Sequence, residues 1–147
     1  RAWLALPGLE NLARKAVSAA LAGADAHVEG FEVAVLFTDD ASIAAINAEW
    51  RGLNKPTNVL SFPAPEMPVP EGELRPLGDV VLAFGVVARE AEEQGKSLHD
   101  HIAHLIVHGT LHLLGFDHEN DDEAEEMEAL ETSILKGLGI SDPYERH

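Results

Sequence analysis

The run His108-Gly109-Thr110-Leu111-His112-Leu113-Leu114-Gly115-Phe116-Asp117-His118 sets three histidines at the spacing H-x3-H-x5-H. Residues four apart on a helix lie one turn apart on the same face, so the rings of His108 and His112 can reach one ion. Gly115 lets the chain leave the helix and bring His118 back toward that ion. Three neutral imidazoles with an open fourth position describe a catalytic zinc site rather than a closed structural one. His108, His112 and His118 are therefore the expected ligands of one Zn2+ per chain. His101 and His104 fall on the same helical stripe. His104, one turn before His108, is the candidate for a group that supports a ligand or touches substrate. His99 and His101 are read as ordinary surface or core histidines.

The spacing is that of the metzincin protease motif H-E-x-x-H-x-x-G-x-x-H, with Gly109 standing where the general-base glutamate would be. Without that carboxylate the peptidase mechanism lacks its proton acceptor. A glycine instead lets another segment, or substrate, come close to the backbone. An ion held there can still polarise a phosphoryl oxygen or lower the pKa of a water. Asp117, beside His118, is read as orienting that ligand or capping a turn.

The elements that must position this run are legible from periodicity and turn chemistry. Leu9, Leu12, Ala13, Ala16, Val17, Ala20 and Leu21 recur at helical spacing after Pro7-Gly8,. Phe31–Phe37 is nearly continuous in apolar character and predicts a buried strand. Thr38-Asp39-Asp40 offers an N-cap to a second helix carrying Ile43, Ile46, Asn47 and Trp50. Val59–Phe62 predicts a second strand. Pro63–Gly78 holds five of the eight prolines and reads as a long loop or flap,. Asp79–Phe84 predicts a third strand, and Val86–Gln94 a short polar helix ending near Gly95. Ser97-Leu98-His99-Asp100 resembles a capping box that opens the histidine helix, which Gly115 should close. Asn120 is placed to cap a last helix, with Met127, Leu130, Ile134, Leu135 and Leu138 as its buried stripe. The order α-β-α-β-β-α-α-α gives an α+β domain: a small mixed β-sheet packed with helices, the metal-site helix buried centrally.

At 147 residues the chain is expected to be one domain, 1–147, with a substantial core,. No apolar run approaches the ~20 residues of a membrane span, and Arg1-Ala2-Trp3-Leu4-Ala5-Leu6-Pro7 is too short for a secretory signal. The absence of cysteine leaves only His, Asp and Glu to bind metal, and fits a cytoplasmic protein as well as it fits a cysteine-free secreted one,. The formal net charge is −16, and nine of the 26 acidic residues lie between Asp117 and Glu131. A surface of that sign opposes broad phosphate binding but leaves room for a local basic site.

The histidine run resembles the H-G-x-L-H-L-x-G-[YF]-D-H signature of the YbeY family, bacterial rRNA maturation factors described as single-strand-specific, metal-dependent endoribonucleases. Asn47-Ala48-Glu49-Trp50-Arg51-Gly52, followed by Lys55-Pro56-Thr57-Asn58-Val59-Leu60-Ser61-Phe62-Pro63, is similar to the family's second block. Leu77-Gly78-Asp79-Val80 is similar to its third. Asp122–Glu131, Leu138-Gly139 and Asp142-Pro143-Tyr144 resemble its tail. The likeness runs in order from about Phe31 to Tyr144. Leu53-Asn54 departs from it, standing where a Lys-Asp pair is expected.

The resemblance implies zinc on His108, His112 and His118, and an activity in 16S rRNA 3′ end maturation and ribosome quality control. It also implies single-stranded RNA as substrate, and the ribosome or a ribosomal or GTPase protein as partner. Arg51, in the second block, becomes the expected phosphate partner, since a guanidinium forks onto two phosphate oxygens and stays charged. With His108 it makes up the expected catalytic pair. Lys55 is a weaker cation of the same kind, and Thr57, Asn58 and Ser61 are expected to line the substrate groove, Asn58 being equally suited to a turn. Two other readings stand beside this one: a metallohydrolase of another substrate such as a peptide, and a non-catalytic ribosome-associated factor whose zinc holds the fold.

Overall fold

The computed structural model describes residues 8–23, 31–51, 58–64, 75–114 and 121–140. Eight elements follow in the expected order: α1 (Leu9–Gly23), β1 (Phe31–Thr38), α2 (Asp40–Arg51), β2 (Val59–Pro63), β3 (Arg75–Ala83), α3 (Phe84–Glu93), α4 (Leu98–Leu113) and α5 (Asp121–Gly137). The strands form a three-stranded mixed sheet in the order β1-β3-β2, with β1 parallel and β2 antiparallel to β3.

Central position explains the composition of β3. Val80 and Leu82 point into the larger core, shared with α1, α4 and α5. Val81 and Ala83 point to the other face, against Ile43 of α2 and Leu60 of β2. A strand covered on both faces has no polar side, which is why Val80-Val81-Leu82-Ala83 is an unbroken apolar run.

The apolar run of β1 has a different cause. It was expected to be buried, yet among the described residues β1 is an edge strand. Glu32, Ala34 and Leu36 are exposed while Val33, Val35 and Phe37 turn partly inward. Leu36 is 47% exposed, so alternation survives in the fold although Ala34 and Leu36 hide it in the sequence,.

β3 also begins earlier than expected. Arg75 and Pro76 pair with Phe31 and Glu32, shortening the proline-rich loop, and a register shift at Glu32/Val33 passes over Leu77. Proline is tolerated at this point because pairing with β2 starts only at Gly78, beyond Pro76,. Gly78 has φ of 146°, and a Cβ there would lie 2.2 Å from the Phe62 carbonyl oxygen. No other residue fits where β2, β3 and the end of α4 converge.

α4 is the central helix, packed against α1, α3, α5, β2 and β3. Its first turn is capped as the sequence predicts: the Ser97 hydroxyl accepts from the Asp100 amide at 3.1 Å,. α1 approaches it through the small buried residues Ala13, Ala16 and Ala20. α3 has no capping side chain of its own. Asp40, at the start of α2, does this instead by accepting from the Val86 amide at 3.1 Å. Asn120 and Gly115, the expected cap and stop residues, lie outside the described residues.

Candidate active site on the histidine helix

His101, His104, His108 and His112 occupy an arc of about 80° on α4, given 100° per residue. The stripe faces α3 and α5, while the adjoining face of the helix meets the sheet. Every one of the four rings has a polar partner. His101, 2% exposed, donates from Nε2 to Glu90 Oε1 at 3.0 Å. Burial lowers its pKa below 6.5 against the opposing pull of Glu90, which favours a neutral ring,. His104 donates from Nε2 to Glu131 Oε2 at 3.3 Å, and His108 donates from Nδ1 to Glu131 Oε1. On its other side His108 Nε2 lies 3.0 Å from His112 Nε2, the two rings meeting edge to face at 77°.

Two imidazole nitrogens aimed at each other fit a shared ion. Zinc–nitrogen bonds of ~2.0–2.1 Å at a tetrahedral angle put two ligand nitrogens roughly 3.3 Å apart. The separation in the structure needs only a slight spreading of the rings. Among the described residues no three His, Asp or Glu side chains converge as a ligand set. His118, the expected third ligand, lies outside the described residues, as do Asp117, Lys55 and Thr57. Arg51 is the last residue of α2.

Glu131 is the site residue that sequence reasoning missed. It sits on α5, 0% exposed, within the stripe of Met127, Leu130, Ile134 and Leu135. The signal was present: residue 131 is four after Met127 and three before Ile134, so an acid occupies an inward position. The surrounding acids, such as Glu128 and Glu126, are exposed and mask it in the local sequence.

The two groove residues that are described both have local partners. Asn58 donates from Nδ2 to both oxygens of Glu90, at 3.0 and 3.3 Å, and accepts from the Val59 amide at 2.6 Å. It thereby fastens the start of β2 to α3 and, through Glu90, to His101. Ser61 donates to the Gly109 carbonyl at 3.2 Å. Gly109 itself explains the missing glutamate. A Cβ there would lie 2.8 Å from Val80 Cγ1 and 3.0 Å from Ser61 Oγ. The position faces the sheet, and any side chain would push α4 off it.

Comparisons with known proteins bear on the family of the chain. A family described as Endoribonuclease YbeY matches residues 4–139. The Endoribonuclease YbeY of Azorhizobium caulinodans is 57% identical over 144 residues, covering 97% of this chain and 89% of that protein. That of Bradyrhizobium diazoefficiens is 54% identical over 145 residues, covering 97% and 79%. The solution structure of TM1509 from Thermotoga maritima superposes with a TM-score of 0.55 at 25% identity, covering 94% of this chain and 91% of that one. With the sheet, the histidine helix and α5 all inside these matches, the chain belongs to the Endoribonuclease YbeY family.

Proposed function

We propose that this chain is a zinc-dependent endoribonuclease that cuts single-stranded RNA, acting in 16S rRNA 3′ end maturation and ribosome quality control in the cytoplasm. His108, His112 and His118 hold the ion in this reading. The observation that carries it is the convergence of the His108 and His112 Nε2 atoms at 3.0 Å, with Glu131 occupying the far nitrogen of His108. An ion bound there supplies Lewis acidity to a phosphoryl oxygen and lowers the pKa of a water.

The chain's own groups do the rest. Arg51 forks onto the phosphate and stabilises charge as it develops on the phosphoryl oxygens, assisted by Lys55. Thr57 is assigned to the groove, and Asp117 to holding His118. Asn58 and Ser61, given their partners, contribute by fixing β2 against α3 and α4 as one wall of that groove. The −16 net charge supports delivery of substrate by the ribosome or a ribosomal or GTPase protein, since most of the surface repels free RNA,. The peptidase alternative lacks support, because the position that would carry its base packs against Val80 and Ser61.

Metal analysis and cleavage of a single-stranded RNA by purified protein test the reading. His112→Ala is expected to lose both zinc and cleavage. Arg51→Ala is expected to keep wild-type zinc content and lose cleavage by at least ~100-fold, the scale of removing one transition-state charge partner. Loss of zinc with Arg51, or cleavage of casein without cleavage of RNA, would reject the assignment.

A further inference from the structure

We infer that Glu131 is the positioning residue of the metal site: it fixes the ring of His108 and the nitrogen that His108 presents to the ion, and is itself held by His104. This rests on the reading that His108 is a zinc ligand. A carboxylate is an acceptor only, so a His108 ring that donates to Glu131 carries its proton on Nδ1. A neutral imidazole has one such proton, which leaves Nε2 with its lone pair exposed, and Nε2 is the atom that faces His112. The second carboxylate oxygen accepts from His104, so the acid cannot swing away from His108 without losing another partner.

A purely structural role explains Glu131 poorly. Its neighbours on α5 are Met127, Leu130, Ile134 and Leu135, and its side chain is wholly enclosed. An apolar residue of similar size, with apolar partners in place of the two histidines, would pack there without the desolvation penalty of a carboxylate. An acid that is itself wholly buried and spans two histidines of the facing helix is the arrangement that orients a ligating imidazole and raises its basicity,. The same logic gives His104 its place: it is an anchor for the acid rather than a ligand.

Glu131→Met removes the acceptor and keeps the volume. In zinc-free protein its melting temperature is expected to fall, because His104 and His108 lose their acceptor, so affinity and tautomer are the deciding readouts. Zinc affinity, measured by competition with a chromophoric chelator, is expected to weaken by about 10–100-fold. Long-range proton–nitrogen correlation on the metal-free protein should show His108 protonated on Nδ1 in wild type and shifted toward the Nε2 form in the variant. Unchanged affinity with an unchanged tautomer overturns the inference. If E131M does not fold, E131Q decides it: an amide keeps an acceptor but not the charge, so affinity about tenfold weaker supports the role and wild-type affinity rejects it. Wild-type protein that binds no zinc at all would instead overturn the metal reading, which separates the two failures.

Discussion

Gly109 and Glu131 constrain the site from opposite sides of α4. Gly109 brings the helix down onto the sheet, with Val80 and Ser61 filling the space a side chain would need. Glu131 reaches the other face from α5. Gly109→Ala tests the first contact. Overpacking of this kind costs about 1–3 kcal/mol, and the better helix propensity of alanine returns at most ~1 kcal/mol. Urea denaturation is expected to show a net loss of up to about 2 kcal/mol, the upper overpacking cost less the propensity gain. A variant as stable as wild type would show that α4 has room to move. Gly109→Glu restores the protease spacing on paper, but is expected to yield unstable protein with no peptidase activity.

Between elements, the polar group Asn58–Glu90–His101 ties β2, α3 and α4 together. Its pH behaviour follows from burial. Desolvation depresses the His101 pKa in the folded chain relative to the unfolded value near 6.5. The unfolded state therefore binds more protons as pH falls, so the neutral ring's contribution is complete above that value and is lost as pH drops below it. Melting temperatures of chelator-treated protein between pH 7.5 and 5.5 should fall more steeply for wild type than for His101→Gln, and parallel slopes would reject the assignment. Most of the architecture at this scale was readable from the chain. All eight elements stand in the expected order, and Ser97 caps α4 as its spacing implies. The failures have specific causes. Ala34 and Leu36 made an edge strand look buried, and Pro76 hid the start of β3, because neither sheet position nor the partner of a backbone amide is written locally. The spacing of the histidines was local and therefore visible. Glu131, which joins it from another helix, became visible only through packing.

For the whole molecule, net charge limits how RNA can be met. With a formal charge of −16, only a few cations are available to meet RNA. If Arg51 and Lys55 make the phosphate contacts, two neutralised phosphates on a single strand give a slope of about −1.4 in log affinity against log salt. Binding of a short single-stranded RNA to protein carrying an inert metal-site substitution, such as His112→Ala, measures it. A slope steeper than about −3 would require more than four such contacts, and with them a basic surface not assigned above. The assembly of the site also has a direction in time. The histidines are on α4, and the carboxylate that aims one of them is on α5, close to the end of the described chain. A nascent polypeptide that has released α4 but not α5 already carries His108 and His112 without the acid that orients them. Its imidazoles are free to bind whichever ion arrives, in either tautomer. Metal captured at that moment would sit in a half-built site, so selective loading belongs to the stage after α5 has docked on α4.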